Sequence, residues 1–203
     1  MNYNKTFKES ILIMSHTLIS CWEKSLLRLK EGNKKYLNSE KSEGNISIET
    51  RQSTCLNGQK PYATVISCSD SRVIPECIFS AGIGELFVIR TAGNVMDDVV
   101  VGSVEYAVSS LATPLVVVMG HTYCGAIRAT IRGGAKGYIK AITQKINLAI
   151  NDEKDECAAC RLNLNASVNE LRGLLAKEEY DVKVIGALYH TDTGQVEFFD
   201  ADA

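Results

Sequence analysis

Two short runs in this sequence carry residue types that do metal chemistry together. Cys68-Ser69-Asp70-Ser71-Arg72 and His121-Thr122-Tyr123-Cys124-Gly125 offer two thiols and one imidazole. Thiolate sulfur and imidazole nitrogen suit zinc, and a catalytic zinc keeps three protein ligands with a fourth position open to water; a set of two Cys and one His is one known version. His121-x-x-Cys124 at the start of a helix supplies two ligands from one turn, and Cys68 brings the third from a neighbouring strand. An isolated buried cysteine is more simply a small hydrophobe, but two clusters, each just past an apolar strand, favour a metal site. Asp70, two residues from a ligand, either takes the fourth position on the ion or accepts a hydrogen bond from water held there. Arg72 is spaced to keep Asp70 ionised and correctly turned. The plainer alternative makes Asp70 a turn cap and Arg72 a surface cation. One zinc ion (Zn2+) per chain is expected.

The elements that must position these residues alternate between strand and helix. Residues 62–67, 86–89, 115–119 and 182–189 are short, nearly continuous apolar runs, the pattern of parallel strands buried on both faces. Asp192-Thr193-Gly194 signals a turn, after which 195–199 is expected to fold back as an antiparallel edge strand. Helices are predicted over about 99–111, 125–150 and 162–177. Ahead of them, Leu18, Trp22, Leu26 and Leu29 recur at helical spacing within 17–38, and Gly32-Asn33 is expected to bend or end that helix. The polar stretch 38–57 reads as a loop with one short helix. The chain is therefore expected to be α/β, a single domain over 1–203 with an N-terminal helical arm (1–57) and an α/β core (58–203). Its central sheet is expected to be mainly parallel, about four parallel strands plus an antiparallel edge strand, flanked by helices. Both reactive clusters then fall at the C-terminal ends of strands, where open α/β sheets bind ligands.

Composition removes other classes. Hydrophobic residues at 45% and charged residues at 23% suit a folded domain and argue against disorder. A net charge of −2 without a Lys/Arg block leaves no footprint for nucleic acid. No apolar run approaches the ~20 residues of a membrane span. Seven cysteines, an odd number in a chain long enough for its own core, exclude a fully paired disulfide framework. Near the N-terminus, Ser10-Ile11-Leu12-Ile13-Met14 and Leu18-Ile19-Ser20-Cys21 have the outline of a lipoprotein leader that would export the chain and anchor it at Cys21. Glu9, His16 and Thr17 interrupt that outline, and a cytoplasmic protein is expected. The glycine-rich nucleotide motifs are absent: Gly82-Ile83-Gly84 lacks both a third glycine and a following Lys.

Cys68-Ser-Asp-Ser-Arg-Val73 with Pro75-Glu76, Gly84-Glu-Leu-Phe-Val88, Arg90-x-Ala-Gly-Asn94, Ser103-Val-Glu-Tyr-Ala107 and Gly120-His-Thr-x-Cys-Gly125, in this order, resemble the β-class carbonic anhydrase family. Leu29-Lys-Glu-Gly-Asn33 and Gly186-Ala-Leu-Tyr189 with Thr193-Gly194 extend the resemblance over roughly residues 20–200. It implies Cys68, His121 and Cys124 as zinc ligands and Asp70 with Arg72 as the catalytic dyad, Asp70 moving onto zinc in a closed form. It also implies a substrate-binding amide at Gln59 and an aromatic pocket wall at Phe87. Ala92, Gly93, Asn94 and Gly125 would shape the pocket by the close backbone approach that small residues permit. Members are homodimers or tetramers whose N-terminal helices wrap the partner, which would account for the apolar stripe along 18–29.

The implied reaction is the reversible hydration of carbon dioxide to bicarbonate and a proton, by attack of hydroxide formed on zinc. Activity is expected to rise towards alkaline pH, because two thiolates offset the ion's charge. A carbonyl sulfide or carbon disulfide hydrolase on the same scaffold is one alternative, since fold does not fix substrate. A non-catalytic zinc-binding homologue is another, against which stand both Asp70 and Arg72. The sequence also departs from the family. Val65 and Ser67 stand where some members carry the Trp and Gly of a regulatory bicarbonate site, and His190 follows Tyr189 where an acidic residue is common. Residues 133–160 match poorly. Cys157-Ala-Ala-Cys160 is no family motif and reads as incidental buried thiols in preference to a second metal site; Cys21, Cys55 and Cys77 get the same plain reading.

Overall fold

The computed structural model describes residues 20–39 and 41–199. Residues 10–14, 18 and 19, on which the leader outline rests, and 17 and 18 of the expected first helix lie outside the described residues.

Helix α1 (Cys21–Asn38) starts where its cap dictates. The Ser20 hydroxyl accepts from the Glu23 N–H while the Glu23 carboxylate accepts from the Ser20 N–H, which satisfies two donors that a helix start otherwise leaves unpaired. The break expected at Gly32-Asn33 does not occur. Gly32 is where α1 lies on the Phe79 backbone, so close that a Cβ would sit 1.9 Å from the Phe79 carbonyl oxygen. Buried Asn33 donates to the Ile78 and Gly194 carbonyls (3.3 and 2.9 Å) and accepts from the Val196 N–H (3.1 Å). The pair that interrupts the sequence pattern is thus the helix's docking point. Part of the apolar stripe of α1 packs inside the chain: Leu29 is fully buried against the sheet, with Trp22 and Leu26 partly buried beside it.

The remaining elements are α2 (Ile48–Asn57), β1 (Ala63–Cys68), α3 (Pro75–Ile78), β2 (Leu86–Thr91), a tight turn at Ala92–Asn94, α4 (Asp98–Ser109), β3 (Leu115–His121), α5 (Gly125–Arg132), α6 (Ile139–Ile150), α7 (Glu156–Lys177), β4 (Lys183–Tyr189) and β5 (Val196–Phe199). The single helix expected over 125–150 is two. Gly133, Gly134 and Gly137 all take positive φ (71°, 75° and 56°), a conformation open to glycine and closed to a continuing right-handed helix. Helix α7 begins six residues before the expected 162, because Asp155 caps it by accepting from the Ala158 N–H.

The sheet order is β2-β1-β3-β4-β5, parallel except for antiparallel β5, as expected from the apolar runs. Strand alternation splits the core into two layers. Val65, Val117, Met119, Ala187 and Tyr189 face α1 and α3. Ile66, Val116, Val118 and Leu188 face α4 and α7. A third cluster, Ile127, Ile146, Ile150 and Ala159, surrounds Cys68 and Cys124. No helix among the described residues is long and apolar enough to cross a membrane.

Candidate metal centre

The chain leaves β1 for β2 on one side and reaches β3 on the other, so the C-terminal ends of β1 and β3 flank the point where strand order reverses. Diverging connections open a crevice there. Cys68 is the last residue of β1 and His121 the last of β3. Tyr123, held at φ 58°, turns the chain sharply so that Cys124 arrives as the residue capping α5. The Cys68, His121 and Cys124 donor atoms all lie within 4.8 Å of one another, and the three residues are buried (4%, 0% and 4% exposed).

The imidazole is oriented as a ligand. Its Nδ1 lies 2.9 Å from the Thr122 carbonyl, which can only accept, so Nδ1 carries the proton and Nε2 presents a lone pair. That Nε2 is buried with no hydrogen-bond partner. An unpaired buried nitrogen costs about 1–3 kcal/mol, and a cation between it and the two sulfurs removes that cost. The donor set fits zinc. The Cys68 sulfur accepts from the Gly93 N–H at 3.2 Å and the Asp70 N–H at 3.4 Å. Hydrogen bonding to Cys124 and to these N–H groups holds the Cys68 thiol well below the usual thiol range. The same pairing, together with burial, pushes Cys124 up.

Asp70 and Arg72 form a two-point pair: Arg72 Nε donates to Oδ1 at 2.9 Å and Nη2 to Oδ2 at 2.8 Å. The Arg72 N–H adds a third bond to Oδ1 at 3.0 Å, and Nη2 also donates to the Tyr123 carbonyl at 3.1 Å. These bonds hold the Asp70 carboxyl well below the usual carboxylate range, with Oδ2 4.0 Å from His121 Nε2. Arg90 braces the same turn, donating to the Cys68 carbonyl (3.2 Å) and the Asp70 carbonyl (2.8 Å). Its role was invisible in the sequence, although Arg90 is the register partner of Ser67 on the adjacent strand.

The other expected site residues divide. Ala92, Gly93 and Asn94 form the turn beside Cys68. Gly93, at φ 69°, has no room for a Cβ, which would lie 2.8 Å from Ile146 Cδ1 and 3.0 Å from Ala126 Cβ. Asn94 is 3% exposed and its Nδ2 is buried without a partner. Gly125 does not make the expected close approach, since a Cβ there would meet nothing within 4 Å. Gln59 and Phe87 are not brought to Cys68 within one chain. Gln59 lies beside Gly84, at the start of β1 rather than its end. Phe87 is paired with Thr64 and touches the Tyr106 ring at 6.1 Å. Five residue steps from Ala63 to Cys68 span about 17 Å at strand rise. Among the remaining thiols, Cys21, Cys55 and Cys157 are exposed rather than buried, and Cys77 is half-buried. His190 approaches Glu197 at 3.8 Å.

A family model described as carbonic anhydrase matches residues 63–196. The carbonic anhydrase of Mycolicibacterium smegmatis is 34% identical over 187 residues, covering 83% of this chain and 89% of its own length. Carbonic anhydrase 2 of Mycobacterium tuberculosis is 42% identical over 123 residues, 58% of this chain and 59% of that protein. Among solved structures, the β-carbonic anhydrase CafA of Aspergillus fumigatus, 26% identical, superposes with a TM-score of 0.65 over 90% of this chain and 92% of its own.

Proposed function

This chain belongs to the β-carbonic anhydrase family, and from that membership we propose that it interconverts carbon dioxide and bicarbonate at a zinc ion held by Cys68, His121 and Cys124. The observation that carries the reading is the buried, unpartnered His121 Nε2 with two cysteine sulfurs gathered around it. Zinc, when bound, supplies a Lewis acid that brings the pKa of water towards neutrality. The two thiolates offset the ion's charge, so the acidification is weaker than with neutral ligands and activity rises towards alkaline pH.

Asp70 acts as a hydrogen-bond acceptor for the reacting water and fixes which lone pair faces carbon dioxide. Arg72 keeps that carboxylate ionised across the working pH range. Both Asp70 oxygens already accept from Arg72, which favours the acceptor role over service as a fourth ligand. Gly93 lets the turn approach close enough for its N–H to reach Cys68. Gln59, in the loop before β1, and Phe87, near the start of β2, stand too far from Cys68 to serve their own chain's centre, and we assign them to the centre of a second copy docked at edge strand β2, making the working unit a homodimer or a tetramer of such pairs.

The test is the rate of carbon dioxide hydration and the zinc content of one purified sample at pH 7 and pH 8.5. About one zinc per chain with faster hydration at the higher pH supports the reading. Zinc without hydration removes the substrate assignment, and hydration without zinc removes the metal assignment.

A further inference from the structure

One face of α7 reaches both arms of the metal centre. Cys160 and Asn163 are three residues apart and therefore share a side of the helix, and they are 7% and 4% exposed. The Cys160 S–H donates to the His121 carbonyl at 3.1 Å. The Asn163 amide donates to the Gly93 carbonyl at 3.0 Å, and the Gly93 N–H donates in turn to the Cys68 sulfur at 3.2 Å. Two ligands from different strands are thus each tied to a single rigid element by a chain of one or two bonds.

Packing supports the same connection. Helix α7 lies directly over the residue before His121: a Cβ on Gly120 would come within 3.3 Å of Leu164 and 3.5 Å of the Cys160 sulfur. Gly93 is confined on its other flank by Ile146 and Ala126, so the Asn163 bond meets a peptide already fixed by packing and decides its remaining freedom. We propose that Cys160 and Asn163 are positioning residues of the metal centre, the Cys160–Asn163 face of α7 setting how far His121 stands from Cys68. The proposal rests on the metal reading above. It gives a role to one cysteine of the Cys157-Ala-Ala-Cys160 run and none to the other, since Cys157 is exposed. Partners that do not touch the ion govern ligand orientation and affinity in metal sites generally.

The test replaces zinc with cobalt(II), whose visible spectrum reports ligand identity and geometry, and measures retention of the ion against a chelator. Cys160→Ala and Asn163→Leu are each expected to weaken retention about 10- to 100-fold and to change the cobalt spectrum. In Asn163→Leu the sulfur-to-metal charge-transfer band should move, because that path ends on Cys68. Cys160→Ser, which keeps a donor, restores the parent behaviour, and Cys157→Ser leaves it unchanged. A merely structural role appears as easier unfolding in denaturant with the parent's spectrum and chelator resistance, and that result overturns the proposal. Should Cys160→Ala not fold, Cys160→Val removes the donor without leaving a cavity and carries the same test. A parent chain that takes up no cobalt overturns the metal reading itself, and this is seen before any variant is compared.

Discussion

At the scale of single residues, the proposed centre separates groups expected to hold an ion from groups expected to use it. Cys68→Ser and His121→Asn should lose zinc, measured as metal per chain after dialysis against a chelator. Asp70→Asn should keep zinc yet lose about 10²- to 10⁴-fold in hydration rate, the usual worth of a positioned acid–base group. Full activity in Asp70→Asn across pH would remove Asp70 from the mechanism. Gly93→Ala tests the turn. The left-handed conformation costs a non-glycine residue about 1–2 kcal/mol, and a Cβ 2.8 Å from Ile146 Cδ1 adds overpacking of about 1–3 kcal/mol. A lowered denaturation midpoint together with weaker zinc retention is expected; loss of stability without loss of zinc would mean the turn does not govern Cys68.

At the scale of elements, the position of α1 rests on two residues that look like helix breakers. Alanine normally improves a helix interior over glycine by about 1 kcal/mol. At Gly32 that gain is outweighed, because a Cβ 1.9 Å from the backbone oxygen of Phe79 forces the helix off the sheet. Gly32→Ala should therefore lower the melting temperature rather than raise it. Asn33→Ala should do the same by leaving the Ile78, Gly194 and Val196 backbone groups unpaired in the interior, at about 1–3 kcal/mol for each group stranded. An increase in melting temperature for either variant would show that α1 is not fixed by this contact. The sequence reading misjudged both residues because propensity describes an isolated helix and knows nothing of what lies against it.

At the scale of the whole molecule, two consequences follow from where groups are buried and where they are missing. Tyr62 is pushed up to about 12, chiefly by burial, and Tyr189 is pushed up as well, by burial and by its 3.2 Å contact with the Tyr36 hydroxyl. A phenol raised above its unfolded value of about 10 contributes stability that is complete below that pH. The contribution is lost as pH rises through the folded value. Unfolding should therefore become easier above about pH 10, and tyrosinate absorbance should rise together with loss of circular dichroism; early ionisation of these tyrosines in an intact fold would contradict it. The second consequence concerns Gln59. A chain carrying Gln59→Ala and one carrying Cys68→Ser should each be inactive alone, yet regain about a quarter of wild-type centres when unfolded and refolded together, the share expected from random pairing into dimers. No recovery on mixing would place Gln59 outside a shared site.

How much of this was legible beforehand depends on the range of the interaction. Strand identity came from local apolar runs, and the three candidate ligands stood out because each closes or follows such a run, so residue type and neighbours sufficed. Sheet order, with β1 between β2 and β3, is what brings Cys68 within reach of His121, and no local pattern encodes it. The helix expected over 125–150 is two because Gly133, Gly134 and Gly137 take positive φ, which apolar periodicity does not register. Arg90, Cys160 and Asn163 escaped because their partners are backbone atoms 20 to 70 positions away. The sequence by itself determined the chemistry on offer, the α/β class and the ends of the strands that carry it, all set by side-chain type and short-range burial. Only the tertiary structure decided which distant groups brace those candidate ligands and which expected residues fall outside one chain's reach, since hydrogen bonds and packing act through space between segments whose separation in sequence says nothing of their distance.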